Sequence, residues 1–189
     1  LKIKVRISIM ELIKNLKEVS LVRNLFLAIV GTILLAISAK IKIPFWPVPM
    51  TMQTFIVMII GMLYGWKLAS LTLIAYLVEG SIGLPVFAKG GGLLYLAGPT
   101  AGYLYGMVIA AGVIGFLGER GYAKSYIKSL LPLILGTIII FIFGVGYLGT
   151  IIGFDKALVL GLYPFILSEF FKIALALALI PTIWKYANR

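Results

Sequence analysis

Glu169 and Lys172 are opposite charges that stand three residues apart in an otherwise apolar stretch near the end of the chain. Uncharged runs over 157–168 and 173–184 flank them on both sides. An ionisable side chain this deep in a membrane segment costs about 2.5–3.5 kcal/mol or more. At this spacing both side chains lie near one face of a helix, where they can bind one ligand as cation and anion. The alternative is an ion pair that only neutralises itself or fixes helix packing.

The residue types that are missing restrict the chemistry. The sequence has no histidine, the commonest general base and transition-metal ligand, and no cysteine for disulfides or thiolate chemistry. It also lacks the Gly-x-x-x-x-Gly-Lys-Ser/Thr loop of conventional ATPases. We therefore expect no enzyme activity, no metal and no cofactor. A lone Glu169–Lys172 acid–base pair leaves an intramembrane enzyme as an alternative.

The composition is that of an integral membrane protein. The 189 residues are 62% hydrophobic and 12% charged, about half the charged share of soluble domains. The mean hydropathy is +1.12. The net charge of +11 comes from Lys and Arg in short segments between apolar runs, where these residues set membrane orientation. The lipid bilayer is thus an expected partner, and nucleic acid is not.

Hydropathy predicts an all-α protein with six transmembrane helices in one domain, residues 22–189. The predicted spans are about 22–39, 51–64, 68–83, 100–117, 129–148 and 157–184. With the amino terminus inside, the cytoplasmic segments hold twelve Lys and Arg and the outer segments hold four. This bias predicts that both termini are cytoplasmic.

The segment 1–21 predicts an amphipathic helix that precedes the first span. Its apolar residues recur at helical spacing between charged ones, at Ile9, Leu12, Ile13, Leu16 and Val19. Such a helix lies on the cytoplasmic membrane surface or docks on a partner protein. Met10 fits a start of translation, and whether residues 1–9 are native stays open.

Two unusual loops are predicted on the outer side. In the first, Pro44, Pro47 and Pro49 enforce a rigid, extended backbone that carries aromatic residues. The second, 84–98, contains three consecutive glycines, which let a ligand approach the main chain, and an apolar end that predicts folding back into the protein. The third outer loop, 149–156, is short. A site open to the exterior follows from this arrangement.

Four segments resemble the sequence blocks of a known family, the BioY proteins. They are Ile43-Pro44-Phe45-Trp46-Pro47-Val48-Pro49-Met50-Thr51-Met52-Gln53-Thr54, Gly83-Leu84-Pro85-Val86-Phe87-Ala88, Leu96-Ala97-Gly98-Pro99-Thr100-Ala101-Gly102-Tyr103-Leu104 and Pro164-Phe165-Ile166-Leu167-Ser168-Glu169-Phe170-Phe171-Lys172. BioY proteins are the biotin-specific substrate-binding (S) subunits of energy-coupling-factor (ECF) transporters. The chain departs from the family pattern at Glu169, where aspartate is usual, at Ala101, where glycine is common, and at Lys89, where small or amide residues are usual.

The resemblance implies capture of biotin from outside by a multi-pass protein of a prokaryotic cell membrane. Biotin would be delivered inward with an ECF transmembrane coupling subunit and two cytoplasmic ATPases. An S subunit for another vitamin is the alternative that keeps the same fold.

The resemblance also implies a set of substrate-binding residues: Glu169, Lys172, Phe45, Trp46, Phe87, Lys89, Gly90, Tyr95 and Tyr163. Glu169 is expected to accept a ureido N–H, and Lys172 to bind either the carboxylate or the ureido oxygen. The aromatic residues of the loops are walls for the bicycle or, alternatively, interfacial anchors. Gln53 is expected to bond loop backbone rather than ligand.

A stripe of small residues marks the first span. It consists of Ala28, Thr32 and Ala36, at the spacing used for close helix–helix approach. The resemblance implies a contact with the coupling subunit here. The alternative is that small residues are simply common in membrane helices.

Overall fold

The computed structural model describes the backbone of residues 2–187 and the side chains of residues 20–185. The chain is almost entirely helical over this range, which confirms the predicted all-α class. The helices are α1 (Lys2–Lys40), α2 (Gln53–Tyr64), α3 (Trp66–Ser81), α4 (Ala101–Glu119), α5 (Tyr126–Ile152), α6 (Phe154–Gly161) and α7 (Tyr163–Ala187). Short 3-10 helices cover Leu93–Ala97 and Tyr122–Lys124.

Four of the described helices are long and apolar enough to cross a membrane. These spans are Ser20–Lys40, Ala101–Glu119, Tyr126–Ile152 and Tyr163–Lys185. The 12 residues of α2 and the 16 of α3 extend only about 18 Å and about 24 Å, less than the roughly 30 Å of a bilayer core. Multiple membrane passes are therefore supported, and the count of six stays a prediction.

The predicted bounds of the last span are wrong. Residues 157–184 do not form one helix, because α6 ends at Gly161 and α7 begins at Tyr163. Pro164 has no N–H to donate to the preceding turn, and it suits the first turn of a new helix. The predicted loop 149–156 is also mostly helical, since the chain turns at Gly153 alone, where φ is +88°.

The amphipathic segment predicted over 1–21 belongs to the continuous helix α1. The side chains of residues 2–19, which would define its two faces, lie outside the described residues.

Helices α4 and α5 form the close-packed centre of the bundle. A Cβ atom at Gly102 would lie 2.4 Å from the carbonyl oxygen of Phe143, and one at Gly144 would lie 2.2 Å from the ring of Tyr103. Small residues let membrane helices approach this closely. Helices α2 and α3 pack on α4, and α6 and α7 pack on α5, whereas α1 packs on α2 and α3.

The connections 41–52 and 82–100 lie side by side, since Lys42 of the first donates to the carbonyl of Ala88 in the second. The side of the membrane on which they lie stays a prediction. In the first, which we call the proline loop, strands β1 (Lys42–Ile43) and β2 (Met50–Thr51) pair in antiparallel fashion and bring its two ends together. The second, which we call the glycine loop, folds through a bridge between Phe87 and Gly90. Both loops cover the deep part of α7.

Candidate functional site

The charge pair of α7 lies inside the protein. The Nζ atom of Lys172 is 2.7 Å from Oε1 of Glu169, and the two side chains are 6% and 5% exposed. Thr54 on α2 joins the two side chains into a hydrogen-bonded ring of three residues. Its hydroxyl donates to Glu169 Oε1 at 3.0 Å and accepts from Lys172 Nζ at 3.1 Å. The pair is thus held from two helices.

This ring leaves hydrogen-bonding capacity unused. Oε2 of Glu169 is buried and has no hydrogen-bond partner among the described residues. An ammonium group has three N–H donors, and the ring uses two of those of Lys172. A buried acceptor without a partner costs free energy, about 1–3 kcal/mol and more for a charged group. A ligand that offers a donor and an acceptor side by side would satisfy both residues.

The pair faces a cleft between the loops and the helices. The cleft is narrow, with a cavity volume of about 40 Å³. Its lining is mainly apolar and comes from the two loops and from α2, α4, α5 and α7. The lining residues are Val48, Pro49, Thr51, Gln53, Thr54, Phe87, Ala88, Tyr95, Thr100, Tyr103, Leu104, Met107, Ile140, Phe141, Phe165, Glu169 and Lys172.

One aromatic wall comes from the glycine loop. The rings of Phe87 and Tyr95 are stacked with centroids 4.8 Å apart, and Tyr76 meets Phe87 edge-on at 5.4 Å. Phe87 is only 1% exposed. It fits because Gly80 has no side chain, since a Cβ there would lie 1.9 Å from the Phe87 ring.

The opposite wall is a cluster of aromatic rings from three helices. Phe141 of α5 lies 5.8 Å from Tyr103 and 5.9 Å from Phe165, measured between ring centroids. The hydroxyl of Tyr103 donates to the carbonyl of Gly161 at 2.7 Å and so ties α4 to the end of α6. An apolar ring system can be held between the two walls.

Gln53 links the cleft to the glycine loop. Its Nε2 atom donates to the Tyr76 hydroxyl at 2.9 Å, and that hydroxyl donates to the carbonyl of Val86 at 2.9 Å. The Gln53 side chain therefore bonds a hydroxyl and not the predicted loop backbone, and it reaches that backbone only through Tyr76. It also lines the cleft.

The structure brings four of the predicted site residues together: Glu169, Lys172, Phe87 and Tyr95 line the cleft. Phe45, Trp46 and Tyr163 are 38%, 74% and 58% exposed and are not part of this lining. Phe45 contacts the aromatic wall from outside, with its ring centroid 6.4 Å from that of Phe165. Lys89 and Gly90 lie in the glycine loop outside the lining, with Lys89 Nζ 3.5 Å from the carbonyl oxygen of Pro47.

Sequence reasoning missed several lining residues, of which Thr54, Tyr103 and Phe165 matter most. All three stand inside the segments that carried the resemblance. The signal that could have identified these three residues is their position in those segments. Polar type alone distinguishes neither Thr54 nor Tyr103 from the many other threonines and tyrosines.

The small-residue stripe of α1 packs largely within the chain. Thr32 is 4% exposed, and its hydroxyl donates to the carbonyl of Ile29. Ala28 and Ala36 are partly buried, and Ala36 packs against the core. A contact of this stripe with another subunit stays a prediction.

Comparison with known proteins places the chain in a family. The sequence model of the BioY family matches residues 10–189. A probable biotin transporter BioY of Pyrococcus horikoshii is 40% identical over 161 residues, which are 85% of this chain and 91% of the relative. The biotin transporter BioY of Thermotoga maritima is 37% identical over 82% of this chain and 91% of its own length.

A solved structure has the same fold. It is the crystal structure of the S-component for biotin from an ECF-type ABC transporter, with a TM-score of 0.74 and 26% identity. The match covers 88% of this chain and 93% of that one. By sequence and by fold, the chain belongs to the BioY family.

Proposed function

We propose that this chain is the biotin-binding S subunit of an ECF transporter. It captures biotin at the loop end of the bundle and delivers it across a prokaryotic cell membrane. Its relatives are named biotin transporters, which agrees with the prediction that the chain is not an enzyme. The alternative, an S subunit for another vitamin, shares the fold and differs in the cleft.

The buried Glu169–Lys172 pair carries the proposal. Glu169 has a carboxylate oxygen without a hydrogen-bond partner among the described residues, and Lys172 has one N–H to spare. The ureido group of biotin places an N–H donor beside a carbonyl acceptor. We assign the N–H to Oε2 of Glu169 and the ureido oxygen to Lys172; of the two roles predicted for the lysine, the spare N–H beside Oε2 favours this one.

The rest of the cleft suits the rest of the ligand. The walls formed by Phe87 with Tyr95 and by Phe141 with Phe165 border an apolar space next to the charge pair, where we place the bicycle once the loops move apart to admit it. The carboxylate of the valeryl chain would then lie towards the loop end, near Lys89 and Gly90. Phe45, Trp46 and Tyr163 are left as contacts at the rim.

We propose that transport by this chain uses an energy-coupling module, and whether it also transports without one is a separate question for a transport assay. We propose six spans, with α2 and α3 as the short ones, and both termini in the cytoplasm. A transmembrane coupling subunit and two cytoplasmic ATPases would supply the energy, since the sequence has no phosphate-binding loop of its own. Ala28 and Ala36, the partly exposed members of the stripe on α1, are the candidates for the coupling contact.

Equilibrium binding of labelled biotin to the purified protein tests the proposal. We expect saturable binding below micromolar concentration that unlabelled biotin displaces and thiamine or riboflavin does not. Absence of binding at micromolar biotin, or displacement by another vitamin, would overturn it. Recovery of the bound biotin in a chemically changed form would instead favour the intramembrane enzyme.

A further inference from the structure

Three lysines connect the proline loop and its flanking helix to the glycine loop. Lys40, at the end of α1, donates to the carbonyl of Phe87 at 2.7 Å. Lys42, in β1, donates to the carbonyl of Ala88. In the opposite direction, Lys89 of the glycine loop lies 3.5 Å from the carbonyl oxygen of Pro47. We call these three hydrogen bonds the lysine clasp.

The clasp joins the two segments that cover the cleft. The proline loop contributes Val48 and Pro49 to the lining, and the glycine loop contributes Phe87 and Ala88. The carbonyls that accept hydrogen bonds from Lys40 and Lys42 belong to these same two glycine-loop residues, which are 1% and 4% exposed. The lysines therefore act on the backbone of the segment whose side chains close the cleft.

These lysines have no competing acidic partner. Among residues 20–185 the structure describes one ion pair, that of Lys172 with Glu169. Each clasp lysine is an exposed residue whose ammonium group is directed to a neutral carbonyl. Hydrogen bonds from an ionised donor are roughly twice as strong as neutral ones. Lys42 and Lys89 thus connect the proline loop and the glycine loop in both directions, and Lys40 adds a bond from the end of α1.

The remaining anchors of the glycine loop are independent of the clasp. Tyr76 of α3 donates to Val86, Tyr105 of α4 donates to Leu96, and Tyr147 of α5 donates to Ala97, in each case to the carbonyl oxygen. These bonds hold the two ends of the loop against the helices. Loss of the clasp would thus remove the lysine bonds to Phe87 and Ala88, while the ends of the loop and Gly92, whose N–H donates to the carbonyl of Gly80 at 2.7 Å, stay attached to the helices.

We infer that the lysine clasp controls the opening of the cleft, with Lys40 and Lys42 as positioning residues that hold Phe87 and Ala88 over the bound ligand. The inference rests on the proposed function for the identity of the ligand only. Its consequence is kinetic: a bound molecule leaves when the clasp opens, so the dissociation rate depends on the two lysines, which themselves do not touch the ligand.

Dissociation kinetics of biotin from the full-length protein in lipid nanodiscs provide the first test. Methionine keeps the apolar stem of lysine and removes the donors. For the double variant Lys40→Met/Lys42→Met we expect koff to rise about tenfold while kon changes far less. Arginine at both positions should restore slow release. Lys156→Met is the matched control, because Lys156 is an exposed lysine on α6 outside the clasp. An unchanged koff in the double variant would overturn the inference.

A second test does not need biotin. The sequence has no cysteine, so a single Leu104→Cys substitution places one thiol in the cleft at a site that is 4% exposed. Modification by a small water-soluble methanethiosulfonate should be about tenfold faster when both clasp lysines are methionine, and unchanged with Lys156→Met. Equal rates in all three proteins would overturn the clasp. Failure of the unmodified protein to bind biotin would overturn the proposed function and leave this measurement intact.

Discussion

The hydroxyl of Thr54 donates a 3.0 Å hydrogen bond to Glu169, which lies 115 residues further along the chain. Both side chains are buried, at 7% and 4% exposure. The bond joins α2, one of the short helices, to the second turn of α7. The Glu169 carboxylate is therefore oriented by a helix distant in sequence, and this part of the cleft forms only when α2 packs against α7.

Removal of the Thr54 hydroxyl should weaken binding. Thr54→Val keeps the shape of the side chain and loses both the bond to Glu169 and the bond from Lys172. We expect about a tenfold increase in the Kd for biotin, which corresponds to about 1.4 kcal/mol. Isothermal titration of the purified variant measures it. Thr54→Ser retains the hydroxyl and is the control. Equal affinities for the valine and serine variants would contradict the orienting role.

Lys172→Met should abolish tight binding of biotin. The variant loses the donor assigned to the ureido oxygen, and it leaves the Glu169 carboxylate buried without its cation. Loss of one member of a buried ion pair costs about 3–5 kcal/mol, so thermal unfolding should shift to lower temperature as well. A filter-binding assay with labelled biotin and an unfolding curve separate the two effects.

The double variant Glu169→Gln/Lys172→Met distinguishes binding from stability. It removes both charges, and we expect it to recover most of the thermal stability and none of the affinity. Normal biotin binding by Lys172→Met would show that the pair serves packing alone.

The length of the acidic side chain should matter less than its charge. Glu169→Asp keeps the carboxylate, and the long Lys172 side chain can follow it, so we expect at most about a tenfold loss of affinity. Glu169→Leu leaves Lys172 as an unpaired buried cation and should eliminate binding and lower the unfolding temperature. Titration of both variants with biotin measures the contrast. Equal losses of affinity in the two would contradict the assigned role of the carboxylate.

The sequence predicts the deep charges of the site better than its rim. Glu169 and Lys172 stand out because charges are rare in apolar spans, and the structure buries both. Thr54 carries no such signal, since its contact with them depends on how α2 packs against α7. In the proline loop, aromatic type favoured Trp46 as a wall residue, yet Val48 and Pro49 line the cleft. The direction in which a loop residue turns is set by tertiary contacts.

The helices show the same contrast between features that the sequence predicts and features that depend on tertiary contacts. Hydropathy predicts the long spans, because about 20 apolar residues are needed to cross the bilayer core. It does not predict the break between α6 and α7, since the residues on both sides of Leu162 are equally apolar. The break depends on Pro164 and on the bond from Tyr103 to Gly161. Pro164 is only a weak sign of a helix break in the sequence, and the Tyr103–Gly161 bond is a long-range contact that the sequence does not reveal.

Gly80→Ala should displace the Phe87 ring, which forms one wall of the cleft. The new methyl group would lie 1.9 Å from the ring of Phe87, which is buried and cannot keep its position. Overpacking of this kind costs about 1–3 kcal/mol, and a displaced ring also removes one wall of the cleft. We expect a lower unfolding temperature together with weaker biotin binding. Gly146→Ala, in α5, is the matched control because its methyl group meets nothing within 4 Å. If both alanine variants bind biotin equally well, the packing of Phe87 against Gly80 does not shape the site.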